Sequence, residues 1–176
     1  IQAWARDRHD LQITVQDETG LLLDTGGGVA RALPHLGDEP FFVLNSDSFW
    51  VEGSTPALQR MAALWDDDKM DCLLLLSGKS RLTGFDGPGD FEMDTNGRLS
   101  RRSSETAPEV YAGAYMVHPR LFADAPDGAF SMNVLWDRAI AGRRLYGMEH
   151  DSWWLHVGTP QAIGEAEDRL AALGAP

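Results

Sequence analysis

The sequence predicts an α/β domain with a mixed sheet and an inserted hairpin, and three features carry that reading. The apolar runs at Phe41–Leu44 and at 71–76 have the near-continuous hydrophobicity of strands covered on both faces. Apolar residues at helical spacing, such as Leu58, Met61, Ala62 and Trp65, alternate with these runs along the chain. Asn96-Gly97, preceded by Phe91 and Met93 and followed by Leu99, is the signature of a tight β-hairpin turn.

In order, residues 1–5 read as the last turn of a helix, with Ile1 and Trp4 apolar, as though more chain preceded them. Leu11, Ile13 and Val15 alternate with polar residues, which predicts a half-buried strand. A glycine-rich stretch at 21–33 comes next, then the strand at Phe41–Leu44. Ser54 or Thr55 is expected to cap the helix that Pro56 opens. After the strand at 71–76, the polar, glycine-rich stretch 77–89 has the character of an active-site loop. The hairpin leads to a strand at 110–117, a short helical turn at Pro119–Phe122 and a helix at Asn133–Ala141, ending before Gly142. Two short strands follow at 145–148 and 153–157, and a last helix starts at Thr159-Pro160 and runs to Leu173.

With 176 residues, 43% of them hydrophobic, the whole span 1–176 is expected to form one domain. The net charge of −12 speaks against nucleic acid or an anionic membrane as partner, since both require a basic face. It leaves room for a small anionic substrate neutralised locally. A lone cysteine, Cys72, within an apolar run forms no internal disulfide and fits a reducing cytoplasm. No apolar run approaches the length of a membrane span. The Arg101-Arg102 pair reads as a solvated rim, and the histidines 9, 35, 118 and 150 as surface or loop residues.

The functional centre is expected around two neighbouring stretches. Gly26, Gly27 and Gly28 lie between an apolar run and the helical pattern Val29, Ala30, Leu33, where a backbone without Cβ atoms and free helix-start amides would suit a nucleotide. Asn45, Ser46 and Asp47 stand past the end of the strand at Phe41–Leu44, where open α/β sheets bind ligands, and a carboxylate there suits a divalent metal.

The stretches LLLDTGGGVARALPHLG, FFVLNSDSF, GPGDF at 87–91, YAGAYMVHPRLF at 111–122 and WWLHVGTPQAIGEAE at 153–167 together resemble the sugar-1-phosphate nucleotidyltransferases, nearest the bacterial N-acetylmuramate-1-phosphate uridylyltransferases and mannose-1-phosphate guanylyltransferase-like proteins. The resemblance implies a Rossmann-like three-layer sandwich with a mixed, mostly parallel sheet. It implies transfer of a nucleoside monophosphate from an NTP, UTP or GTP, to a sugar-1-phosphate, with Mg²⁺, or Mn²⁺ in its place. By the same resemblance Asp24, Thr25, Gly26 and Gly27 would meet the nucleobase. Asn45, Gly89, Asp90, Tyr111 and Gly113 would line the sugar, and Asp47 and His156 would stand at the metal, His156 where the family usually has Asp. The family also opens with a strand and a G-x-G-x-R-M-x-P loop that do not occur in these 176 residues. A nucleotide-sugar-dependent glycosyltransferase and a non-catalytic sugar-nucleotide-binding subunit are the alternative readings.

Overall fold

The computed structural model describes residues 1–174. Its elements run α1 (Gln2–Arg6), α2 (Asp24–Ala32), β1 (Phe41–Leu44), β2 (Ser48–Trp50), α3 (Ala57–Leu64), β3 (Cys72–Gly78), β4 (Leu82–Thr83), β5 (Phe91–Met93), β6 (Leu99–Arg101), β7 (Glu109–Val117), α4 (Asn133–Ala141), β8 (Leu145–Glu149), β9 (Trp154–His156) and α5 (Pro160–Leu173). The six-stranded sheet has the order β6-β5-β7-β3-β8, with β1 also on β7, and a three-stranded sheet has the order β2-β9-β4.

β3 shows why the architecture has three layers. Its side chains alternate between faces. Cys72, Leu74 and Leu76 join one core with Phe91, Tyr115, Leu135 and Trp136, against which α2 packs Val29 and Ala30. Leu73 and Leu75 join a second core on the opposite face with Met61 of α3, Met70 and Trp154. All five residues are fully buried, so a strand continuous in hydrophobicity is covered on both sides.

The sheet is mixed, as expected, but it is not mostly parallel. β7 lies at its centre and runs antiparallel to β1, β3 and β5, and β5 runs antiparallel to β6. Among the described residues, β3 and β8 are the one parallel pair of this sheet. The hairpin insertion is present: Asn96 and Gly97, the latter at φ +81°, turn the chain while Asp94 Oδ1 accepts the amides of Asn96 and Arg98. This turn lengthens the sheet beyond β7.

The strand expected at Leu11–Val15 does not form. No neighbouring strand supplies ladder partners there among the described residues, and alternation without a partner cannot satisfy the backbone. Leu11 is 60% exposed. Side chains tether the segment that follows instead: Gln16 Nε2 donates to the Gly28 carbonyl, and Glu18 accepts the Leu23 amide. Nor is β1 as buried as its composition suggests, because it pairs on one edge only and Leu44 is 53% exposed.

Ser54 and Thr55 do not cap α3; Glu52 accepts the Ala57 amide at 2.7 Å. Thr159 does cap α5, accepting the Ala162 amide, and Gly174 ends that helix at φ +65°. His150, expected at the surface or in a loop, lies in the loop after β8 but is only 1% exposed. Among the described residues no helix is long and apolar enough to cross a membrane.

Candidate active site

β1 delivers the chain to Asn45, whose amide donates to the Gly113 carbonyl at 2.7 Å. Gly113 has φ +80°, and a Cβ there would run into Ser48 Oγ and press on Asn45. The backbone that this glycine admits is therefore the Asn45–Ser48 crossing. Ser48 then pairs with His156, starting the small sheet. The Val157 amide donates to the Asp47 carbonyl at 2.8 Å. Asp47 and His156, 109 positions apart in sequence, are thus side by side at the ends of two strands.

Their side chains face the same space. A Cβ built on Gly158 would lie 2.7 Å from His156 Nε2 and 3.7 Å from Asp47 Oδ2. The imidazole is held between Trp154, stacked at 6.0 Å, and the edge of Phe85 at 6.5 Å. Trp154 is in turn fixed by its indole N–H, which donates to the Ala112 carbonyl at 2.8 Å. Among the described residues, no group of three or more His, Cys, Asp and Glu side chains is placed to hold a metal. A pair is what remains. That suits Mg²⁺ or Mn²⁺, which take one or two protein ligands and fill the rest of their shell with phosphate and water oxygens.

Next to this pair opens a cavity of about 440 Å³. Asn45, Tyr111 and Tyr115 line one side, Asp24, Thr25 and Gly28 another, and Ser131, Met132, Asn133 and Trp136 a third. The Tyr111 and Trp136 rings meet edge to face, 4.9 Å between centroids, and Tyr115 meets Trp136 at 5.7 Å. The Tyr111 hydroxyl is buried and has no partner among the described residues. Burial pushes its phenol above the ordinary range, so it stays a neutral donor. Among the described residues no lysine or arginine lines the cavity, whereas Asp24 and Glu18 do.

The glycine stretch is built differently from what its sequence suggests. The amides of Gly26 and Gly27 are not free, since both donate to the Phe130 carbonyl, at 2.9 and 3.1 Å. A Cβ on Gly26 would strike the Phe130 ring, and one on Gly27 the Gly128 carbonyl. These two glycines admit the 128–130 segment, and only Gly28 reaches the cavity. Thr25 clamps the same junction, its hydroxyl accepting the Met132 amide at 2.9 Å. Asp24 opens α2 at φ +60°, a strained angle for a residue with a Cβ, and its carboxylate accepts the Thr25 amide.

Gly89 and Asp90 lie behind the cavity wall. Gly89, at φ +90°, packs against the Ala107 carbonyl, while Asp90 Oδ2 accepts the Tyr111 amide at 2.9 Å. Asp90 therefore sets the position of Tyr111. Gln16, Glu18, Ser131, Met132, Asn133 and Trp136 line the cavity without having been marked by any motif.

A scan against protein-family models matches none. The chain is 41% identical over 161 residues to the N-acetylmuramate alpha-1-phosphate uridylyltransferase of Caulobacter vibrioides, covering 91% of this chain and 66% of that protein. It is 25% identical over 146 residues to the enzyme of the same name from Neisseria meningitidis serogroup B, covering 82% of this chain and 61% of that protein. It thus spans just under two thirds of the length of the curated relatives it matches. Among solved structures, it shares its fold with the inositol-1-phosphate CTP transferase from T. maritima (TM-score 0.63, 12% identity, 85% of this chain and 62% of that one). It shares it equally with a UDP-glucose pyrophosphorylase complexed with UDP-glucose (TM-score 0.65, 12% identity, 86% and 63%). With its motifs in that family's order, this identity across nine tenths of its length and this mixed α/β fold, the chain belongs to the sugar-1-phosphate nucleotidyltransferase family.

Proposed function

We propose that the protein transfers a nucleoside monophosphate from an NTP to a sugar-1-phosphate, releasing pyrophosphate, and that it is of the N-acetylmuramate-1-phosphate uridylyltransferase type. The observation that carries this reading is the meeting of Asp47 and His156 beside a cation-free, aromatic cavity. A phosphorylated sugar divides naturally between the two. Its ring stacks against Tyr111 and Trp136, with Asn45 in reach of its hydroxyls. Its phosphate projects toward Asp47. The nucleobase lies along the start of α2, where the Asp24 carboxylate accepts from a ring N–H and Thr25 and Gly28 form the floor.

In this reaction a phosphate oxygen of the sugar substrate bonds to the α-phosphorus as the bond to the β-phosphate oxygen breaks, and pyrophosphate departs with those electrons. Bound Mg²⁺ would neutralise charge on the phosphate oxygens. Asp47 would hold it through its carboxylate and His156 through a ring nitrogen, a donor better matched to Mn²⁺ than to Mg²⁺. The remaining contribution of the protein is alignment. Asp90 fixes Tyr111 under the sugar, and Gly113 keeps the Asn45–Ser48 crossing close to β7. A reducing cytoplasm as the compartment fits Cys72, whose thiol burial pushes up and leaves inert.

The test is direct. The intact protein, supplied with N-acetylmuramate-1-phosphate or mannose-1-phosphate and with UTP or GTP in turn, is expected to release pyrophosphate with one matched pair. Release with none of the four combinations would remove this reading.

A further inference from the structure

On that reading of the cavity, we propose that Arg101, Asn133 and Ser131 form a relay that aims the Ser131 hydroxyl proton at the N-acyl carbonyl of the sugar. The protein would thereby select 2-acylamino sugar phosphates over their 2-hydroxy counterparts.

The orientation of each group follows from the one before it. Arg101 at the end of β6 is fixed by its Nε–H bond to Asp137 at 2.7 Å and by its guanidinium 4.8 Å over the Phe91 ring. Its Nη2 donates to Asn133 Oδ1 at 2.9 Å. A guanidinium has donors and no acceptor, so the amide oxygen of Asn133 must face it, and the amide nitrogen must face the other way. That nitrogen meets Ser131 Oγ at 3.2 Å, and the main-chain N–H of Asn133 donates to the same oxygen at 3.3 Å. Both acceptor positions of the Ser131 hydroxyl are then filled. Its own proton has no acceptor in the relay, and Ser131 lines the cavity. The hydroxyl is therefore a donor to whatever occupies that space.

The charge pattern chooses among acceptors. The Arg101 cation is paired with Asp137 behind the cavity wall, and the charged side chains that line the cavity, Asp24 and Glu18, are both acidic. A substrate carboxylate placed here would be repelled. A neutral amide carbonyl would not, and it accepts more strongly than a sugar hydroxyl.

The experiment compares N-acetylglucosamine-1-phosphate with glucose-1-phosphate, each titrated into the intact protein with Mg²⁺ and a non-hydrolysable UTP analogue. The wild type is expected to bind the acetamido sugar more tightly. Ser131→Ala is expected to weaken that binding by about tenfold, the usual effect of removing one hydrogen-bond donor, and to leave glucose-1-phosphate unchanged. Asn133→Asp keeps a partner for Arg101 but presents only acceptors to Ser131, which then donates to the new carboxylate. It is expected to reproduce the loss with Ser131 still in place, and Ser131→Thr to restore wild-type selectivity. Equal losses for both sugars, or none for either, overturn the relay while leaving the proposed reaction intact. Failure of the wild type to bind either sugar phosphate overturns the reaction and the relay together.

Discussion

The Val157 amide donates to the Asp47 carbonyl at 2.8 Å, and this one bond sets the spacing of the two side chains that meet above Gly158. Asp47 is at a strand end, exposed, and its carboxylate makes no hydrogen bond among the described residues. Asp47→Asn keeps the shape and removes the charge. Turnover is expected to fall by about 10²–10³-fold, in the range for losing one electrostatic stabiliser of the transition state, with the unfolding midpoint unchanged. Pyrophosphate release by the variant at the wild-type rate would take Asp47 out of the site.

Gly158 offers a second, independent probe of the same space. A methyl group there would lie 2.7 Å from both Cε1 and Nε2 of His156, and Trp154 and Phe85 leave the ring little room to retreat. Gly158→Ala is therefore expected to weaken Mn²⁺ binding as much as His156→Ala does, while His156→Asp shifts preference toward Mg²⁺. Electron paramagnetic resonance of Mn²⁺ with bound nucleotide measures all three. Wild-type Mn²⁺ affinity in Gly158→Ala and His156→Ala alike would show that the imidazole is no ligand.

How much of this was legible in the chain depended on whether the signal was local. The strand end at Asp47 could be read because the apolar run Phe41–Leu44 stops just before it, and Asn96-Gly97 because a tight turn dictates its residues. Leu11, Ile13 and Val15 carried an equally good local pattern, but a strand is a pairing and the pattern cannot say whether a partner exists. The glycines misled for a related reason. Gly26 and Gly27 do mark a close approach, but what approaches is the 128–130 segment, a hundred positions away. Ser131, Asn133 and Trp136 carried no signal in the sequence because they come to line the cavity only when α4 and the residues just before it pack across from α2. No spacing within the sequence encodes that contact.

That reassignment changes what a mutation in the glycine stretch should do. A Cβ on Gly27 would collide with the Gly128 carbonyl, which is main chain and cannot rotate away. Gly27→Ala is expected to cost about 1–3 kcal/mol of stability, as overpacking does, and to weaken nucleotide and sugar-phosphate binding alike. Urea unfolding together with titration of both ligands checks it. Loss of nucleotide affinity alone, at unchanged stability, would return Gly27 to the base-binding surface.

His150 ties the two sheets together, and its burial makes that tie sensitive to pH. Its main-chain amide donates to the Leu76 carbonyl at 2.7 Å at the end of β3, while its ring Nε2 lies 3.0 Å from the Val51 carbonyl beyond β2. A carbonyl only accepts, so Nε2 carries the proton, and Nδ1 is buried without a partner among the described residues. Protonation would place a cation there, and burial accordingly lowers the pKa of His150 below its ordinary 6.5, with Asp151 and Glu52 opposing the shift and Arg60 adding to it. The unfolded chain takes up this proton near 6.5 and the folded chain only at lower pH. Stability is thus unaffected by His150 above 6.5 and declines as pH falls from there toward the folded value. His150→Gln offers an amide N–H to Val51 without a titrating group. Urea midpoints measured from pH 8 to pH 5 are expected to fall more steeply below pH 6.5 for the wild type than for the variant, and parallel curves would show that the histidine is not what responds.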